Sequence, residues 1–280
     1  MVLRVLLAAL FVVSSIAKLL AIDDFELYIF SYGFFSLNFC YLVARGCIAV
    51  ELLLGVFIAL GWWRRWVNLL TFAVLVLFSL FLCYAALIGR TDSCRCMGRL
   101  ADLDPAQSLL KNAVLLVLVL LYARFGGRER APRHRMLRIV VTVLLVLCVT
   151  VGVFAVSVPD NWMFGPEESR YNRALLEESI APDGVLAADS LGHGTHLVSF
   201  VTPGCPYCKM SRQKITTIAQ RHHLDTTRIH YYEPDDLGDT LFLRITLGQR
   251  PFIVLLDEGQ PAVTYHYRNI NEKQIAYALR

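Results

Sequence analysis

The chain has 280 residues, of which 56% are hydrophobic and only 18% charged, and its mean hydropathy is +0.52. Those values exclude a disordered chain and exceed what a soluble globular protein carries. The formal net charge of +4 gives no reason to expect a nucleic-acid partner, and eight cysteines are too few for a disulfide-packed miniprotein.

Charge divides the sequence at Pro159. Residues 1–158 hold 15 Lys and Arg against 8 Asp and Glu, a net of +7, whereas the remainder holds 12 against 15, a net of −3. The long apolar runs lie almost entirely in the first part, and six of the seven histidines lie in the second. The first part therefore reads as membrane and the second as a soluble domain.

A bilayer-spanning helix needs about 20 apolar residues. Five runs meet that length: about Val2 to Ile22, Phe39 to Gly61, Trp66 to Ile88, Ala106 to Tyr122 and Leu137 to Val158. A cleaved signal peptide competes for the first run, with Arg4 as its basic start and Ser15-Ile16-Ala17 as a poor cleavage site, but further spans follow and Lys18 interrupts the flank. Lys and Arg in short loops set orientation. Trp62-Trp63-Arg64-Arg65-Trp66 joins spans two and three, and Arg124, Arg128, Arg130, Arg133, Arg135 and Arg138 crowd between spans four and five. Both loops are expected in the cytoplasm, which places the N-terminus inside and the C-terminal domain outside a cytoplasmic membrane. Asp23, Asp24 and Glu26 after span one suit the outer side, although three arginines in the outer loop Gly89 to Pro105 run against that bias. Phe25 to Phe39 reads as an aromatic segment lying on the outer leaflet in preference to a quinone pocket. Within the spans, Glu51 must pair, protonate or face the bundle interior, and Lys18 and Arg45 are expected to snorkel to the outer boundary. Cys47 and Cys83 fall at similar depths, where small packing residues are a better reading than a buried relay pair.

Glu167 to Ile180 reads as a short amphipathic helix that links membrane to domain. After Asp189 the pattern alternates: a strand at Thr195 to Val201, a helix from Cys205 to about His222, a strand at Arg228 to Glu233 and a helix at Leu237 to Thr246. A hairpin of Pro251 to Asp257 and Ala262 to Arg268 around Glu258-Gly259 follows, then a final helix from Asn271. The predicted order is βαβαββα. Thr202-Pro203-Gly204-Cys205-Pro206-Tyr207-Cys208 falls where the first strand becomes a helix. Backbone N–H groups and the macrodipole at a helix N-terminus stabilise a thiolate on Cys205. Pro206 fits the first turn, where its missing N–H costs nothing. Cys205 is thus the expected nucleophile and Cys208, one turn on, the expected resolving thiol. A zinc site would need further ligands from His193, His196, His222 and His223, which lack paired ligand spacing, so no metal is expected. A structural disulfide is disfavoured at a strained, exposed helix start.

Cys205 to Cys208, the element order and Pro251 before a strand together resemble a thioredoxin-fold domain over about Asp189 to Arg280. The resemblance implies that Pro251 is cis and faces the cysteine pair, and that Arg250, Pro251 and Tyr207 help to hold substrate. Arg250 replaces the common Thr or Val, Gly204 replaces the usual Trp, and Cys-Pro-Tyr-Cys is the glutaredoxin-type pair. The intervening residues tune redox poise.

A second pair stands in Ser93-Cys94-Arg95-Cys96-Met97-Gly98 after span three, with Arg90, Arg95 and Arg99 favouring thiolates. This motif, Ser14-Ser15-Ile16-Ala17-Lys18-Leu19, Ser31-Tyr32-Gly33-Phe34 and Glu51-Leu52-Leu53-Leu54-Gly55 resemble the MauE/DoxX family of redox-associated membrane proteins over about Met1 to Ala123. Met97 stands where the family has Phe. The resemblance implies thiol–disulfide work outside the cytoplasmic membrane on the thiols or disulfides of exported proteins.

The expected fold class is a multi-domain membrane protein. A four-helix module at 1–123 is followed by a basic loop and fifth span at 124–158, a linker with a short helix at 159–188 and an α/β thioredoxin-like domain at 189–280. The expected activity is thiol–disulfide exchange between Cys94/Cys96 and Cys205/Cys208, with the lipid bilayer and exported proteins as partners. No cofactor is fixed by the sequence, although oxidation would need a terminal acceptor such as quinone, as in the vitamin K epoxide reductase type of four-helix enzyme. Reduction would need a cytoplasmic cysteine pair, which the sequence lacks, so oxidation or isomerisation is the expected direction. The alternative is a membrane-anchored client-binding or assembly factor whose membrane part is a non-catalytic scaffold. A transporter is disfavoured because no pair of broken helices or chain of intramembrane charges is evident.

Overall fold

The computed structural model describes residues 2–89, 103–125, 135–157, 170–187 and 190–280. The chain divides into two compact units, residues 1–29 with 40–158 and residues 30–39 with 159–280. The five expected spans are helices: α1 (Val2–Leu20), α3 (Leu37–Leu60), α4 (Arg64–Leu87), α5 (Pro105–Phe125) and α6 (Arg135–Val156). Each is long and apolar enough to cross a membrane, with mean hydropathies from 1.8 to 3.0, so the protein is a multi-pass membrane protein. The segment Phe25 to Phe39, expected to lie on the outer leaflet, begins within a helix, α2 (Ile22–Phe30), with Asp23 and Asp24 in its first turn, where carboxylates complement the dipole.

Charged side chains organise the first unit. Lys18 of α1 does not snorkel: it is 6% exposed, and its ammonium donates to Glu51 Oε2 of α3 at 2.5 Å and to Ser14 Oγ at 3.2 Å. Arg45 of α3 does not snorkel either. At 1% exposure it pairs with Glu26 of α2 and donates to Tyr41 O at 2.9 Å, Ser157 O at 2.6 Å and Ser157 Oγ at 3.2 Å. These contacts tie α2, α3 and the end of α6 together, because an ionised group among apolar atoms needs a partner and hydrogen bonds. Close backbone approach supports the first pair. A Cβ on Gly55, one turn from Glu51, would lie 2.9 Å from Val12 Cγ2 and 3.2 Å from Val12 N, so Val12 of α1 packs directly on the bare backbone of α3 there.

At the opposite helix ends the arginines cap and stack. Arg64 donates to Tyr122 O at 3.0 Å and Ala123 O at 2.8 Å, satisfying carbonyls in the last turn of α5. Arg138 lies 3.9 Å over the ring of Trp63, whose indole N–H donates to Thr142 Oγ1 at 3.1 Å. These bonds hold α6, of which Val153 is the buried residue, against the bundle.

The second unit is built on a four-stranded sheet in the order β2-β1-β3-β4, with β1 (Thr195–Phe200), β2 (Ile229–Tyr232), β3 (Phe252–Asp257) and β4 (Gln260–Tyr265). β1 runs parallel to β2 and antiparallel to β3, and β3 is antiparallel to β4. Alternation sends Val198, Phe200, Phe252, Val254 and Leu256 to one face. There they pack with Leu176 and Ile180 of α7 (Arg173–Ile180) and Phe242 and Ile245 of α10 (Asp239–Thr246). Leu197, Ile253 and Leu255 are buried on the other face, with α8 (Pro206–His222) and α11 (Glu272–Ala278) packed on each other.

The helix predicted at Leu237 to Thr246 is present as α10, starting two residues later, and a helical turn that was not predicted precedes it. α9 (Pro234–Leu237) stops at Gly238, and α10 starts beyond it. The β3–β4 hairpin turns through Glu258 at φ 49° and Gly259 at φ 76°, the left-handed pair that a two-residue turn requires. This βαβααββα order, with β1 leading into α8, is a thioredoxin-like α/β domain. α7 begins at Arg173, later than the Glu167 predicted, with Asn172 Oδ1 accepting from Leu175 N at 3.2 Å as its cap.

Removing one member of the buried pair should cost more than removing both. Glu51→Ala strands the Lys18 ammonium among apolar atoms, a loss of about 3–5 kcal/mol, whereas Lys18→Met with Glu51→Met should recover most of it. Thermal unfolding in detergent checks the ranking; a double variant melting below Glu51→Ala would contradict it.

Candidate functional site

The site grows out of the β1–α8 junction. Phe200 and Val201 are buried at the end of the strand. The chain then turns through Gly204 at φ 76°, with Cys205 N donating to Thr202 O at 3.2 Å. Cys205 is the N-cap of α8 in extended backbone, and Pro206 occupies the first turn. The sulfur takes the place of the usual cap oxygen and accepts the backbone N–H of Cys208 at 3.2 Å. One of the helix's unpartnered donors is thereby aimed at the Cys205 sulfur.

The two thiols differ sharply in access. Cys205 is half-buried among exposed Pro203, Gly204, Pro206 and Tyr207, whereas Cys208 is 3% exposed. Burial pushes the Cys208 thiol up to about 12, and its hydrogen bond with Cys205 adds to the rise. The Thr202 backbone and the Arg250 guanidinium pull the other way. Cys208 is also fixed through its carbonyl, which accepts from buried Ser211 Oγ at 2.9 Å. Both cysteines are free thiols.

Arg250 and Pro251 lie where the sequence predicts, at the start of β3. Their peptide bond is cis, Pro251 is buried and Arg250 is exposed within electrostatic reach of Cys208. Tyr207 lies between the cysteines, is 43% exposed and stacks on Tyr267 with centroids 4.5 Å apart. Sequence reasoning missed Tyr267 and its surroundings. Arg268 Nε donates to Tyr267 OH at 2.9 Å, and buried Lys214 of α8 donates to Tyr267 O at 3.2 Å. Tyr267 is buried against Tyr207 and held by these two bonds; it comes from the segment after β4, and no residue spacing announces it.

Cys94 and Cys96 lie outside the described residues. Of the remaining described cysteines, Cys40 is buried, Cys83 half-buried and Cys47 and Cys148 exposed, and all four are outside disulfides. The histidines considered as zinc ligands are not gathered at the dithiol. His222, whose Nε2 lies 3.1 Å from Glu272 Oε1, is at the far end of α8, about 25 Å along the axis from Cys205. His196 is near the start of β1, the strand end away from the cysteines. Among the described residues no group of three or more His, Cys, Asp or Glu is placed to hold a metal ion.

Comparison with known proteins agrees with the resemblance of the membrane half. Residues 1–125 match the family described as Methylamine utilisation protein MauE, so the N-terminal part carries a MauE domain. Protein TlpB of Flavobacterium psychrophilum is 22% identical over 264 residues, covering 78% of this chain and 72% of that protein. No solved structure matches the chain.

The asymmetry of the thiols should be visible chemically. Iodoacetamide at about pH 8 should alkylate Cys205 in the reduced, folded protein and leave Cys208 untouched until the pH nears 12. A raised folded-state pKa also means that this group's contribution to stability is full below the free-thiol value of about 8.5 and is lost as pH rises towards 12. Equal labelling of both thiols at neutral pH, read by peptide mass spectrometry, would contradict this assignment.

Proposed function

We propose that the chain is a membrane-bound thiol–disulfide oxidoreductase that works on the outer side of a cytoplasmic membrane. In the reductive direction the Cys205 thiolate attacks a substrate disulfide, forming a mixed disulfide and releasing one substrate thiolate. Cys208 then loses its proton and attacks Cys205 Sγ, which frees the second substrate sulfur and leaves a Cys205–Cys208 disulfide. Two electrons pass from the protein dithiol to the substrate, and the same steps in reverse oxidise a substrate dithiol. The observation that carries this reading is the half-exposed Cys205 at the α8 N-cap with buried Cys208 behind it.

Burial gives each thiol its part. Cys205 is the sulfur a substrate can reach, while Cys208 stays protonated at neutral pH and is shielded from outside disulfides. It becomes competent when a mixed disulfide at Cys205 supplies a target one turn away, and the proton must leave as attack proceeds. Tyr207, Arg250 and Pro251 bind substrate beside the sulfur, with buried Tyr267 backing the Tyr207 ring.

The membrane half supplies the second pair. Cys94 and Cys96 exchange with Cys205 and Cys208: a dithiol on one side becomes a disulfide as the other is reduced, which regenerates the external site. Joining both pairs on one chain gives an effective concentration on the order of millimolar, so the exchange needs no high intrinsic affinity. Arg64, Arg65, Arg124, Arg135 and Arg138 at one set of helix ends, with Asp23, Asp24 and Glu26 towards the other, support cytoplasmic basic loops. The clients are thiols or disulfides of exported proteins, and oxidation or isomerisation is the favoured direction because the sequence has no cytoplasmic-side cysteine pair.

Trapping tests the exchange. With diamide as the two-electron oxidant, Cys208→Ser with Cys96→Ser should accumulate an internal Cys205–Cys94 disulfide, seen as a mobility difference between non-reducing and reducing gels and as a cross-linked peptide. Its absence under every redox condition, with Cys205 still reactive, would remove the membrane pair from the reaction and favour the scaffold alternative.

A further inference from the structure

Two imidazoles lie side by side on the edge strand and its neighbour. β2 is the outer strand of the sheet, paired in parallel with β1, and Val198 of β1 lies opposite His230 of β2. His196 is two residues before Val198 and so projects from the same face. Its Nδ1 lies 3.1 Å from Nε2 of His230, with ring centroids 5.2 Å apart. Both rings are half-exposed and open to solvent.

The other nitrogen of His196 fixes the first ring's tautomer. Nε2 lies 2.9 Å from the carbonyl of His193, which can only accept, so this nitrogen carries a hydrogen. In the neutral ring Nδ1 then presents a lone pair towards Nε2–H of His230. A carbonyl that holds the distal N–H is the arrangement that orients a metal-binding histidine. The nitrogen separation fits an ion as well as it fits a proton. With metal–nitrogen distances of about 2.0–2.1 Å, two ligands at a right angle sit about 2.9 Å apart and two at the tetrahedral angle about 3.4 Å apart. The observed 3.1 Å lies between them.

We propose that His196 and His230 form a binding site for a divalent first-row transition ion, Cu²⁺ or Zn²⁺, which suit imidazole. The ion replaces the hydrogen shared between the rings. That hydrogen moves through solvent to Nδ1 of His230, so both rings stay neutral and no redox change occurs. Solvent fills the remaining coordination positions. Asp225 lies within electrostatic reach of His196 and adds a negative charge beside the site. Its Oδ1 accepts from Thr227 N at 3.0 Å and Thr227 Oγ1 at 2.7 Å, its Oδ2 lies 3.8 Å from Arg228 Nε, and no third ligand is gathered with the two rings among the described residues, so Asp225 acts as a neighbouring charge. By bridging β1 and β2 the ion would pin the sheet's exposed edge at the end remote from the dithiol.

The test uses untagged full-length protein in detergent with its thiols blocked by N-ethylmaleimide, titrated with CuCl₂ and separately with ZnCl₂. The expected result is a stoichiometric Cu²⁺ signal in electron paramagnetic resonance with couplings to two imidazole nitrogens, and a rise in melting temperature with either ion. His196→Ala and His230→Ala should each weaken binding at least tenfold, whereas His193→Ala should keep it, since only the backbone carbonyl of that residue takes part. A wild-type spectrum without two-nitrogen coupling would overturn the site even if the alanine variants failed to fold. Unchanged binding in folded His196→Ala would overturn it as well. Blocked thiols keep these outcomes separate from the fate of the proposed redox activity.

Discussion

An ionised side chain withdrawn from water must find a partner or give up its charge, and both units obey that constraint by different routes. In the membrane unit the charges are kept and paired: Lys18 with Glu51, and Arg45 with Glu26 and the end of α6. These pairs decide which helices touch, because hydrocarbon surfaces alone do not choose among apolar neighbours in a bilayer. At the dithiol of the α/β unit the charge is given up: Cys208 stays a neutral thiol beneath its more exposed neighbour. The difference between the two cysteines is a matter of depth, imposed by one turn of helix.

The spans and the strand–helix alternation were legible because each is a local pattern. About 20 apolar residues, or a period of two or 3.6, needs no knowledge of what lies opposite. The N-cap position of Cys205 was legible for the same reason, since Pro206 and the strand before it are adjacent in sequence. What could not be read was pairing at a distance. Lys18 and Glu51 are 33 residues apart, and Arg45 finds Ser157 across 112. From the sequence, Lys18 and Arg45 were only residues near a span end, for which snorkelling is the ordinary outcome.

The same limit explains the remaining differences. Tyr207 stacks on Tyr267 because the segment after β4 returns to the dithiol, a tertiary event without a local signature. The two imidazoles meet through strand register, and a single-residue slip would put them on opposite faces. The helical turn Pro234–Leu237 was not predicted, because Pro-Asp-Asp carries no apolar period, and the helix predicted from Leu237 begins beyond Gly238. Local propensity thus drew the elements, while the contacts that give the site its character came from closure of the fold.

Gly55 carries a consequence for distance. With no side chain on α3 where Val12 of α1 packs, the two axes come close enough for an ammonium on one helix to reach a carboxylate one turn from Gly55 on the other. The glycine therefore acts as a spacer of zero thickness, and the ion pair as a gauge with little slack. Any atom added at position 55 would open the gauge from below, converting a packing change into an electrostatic one felt a full helical turn away.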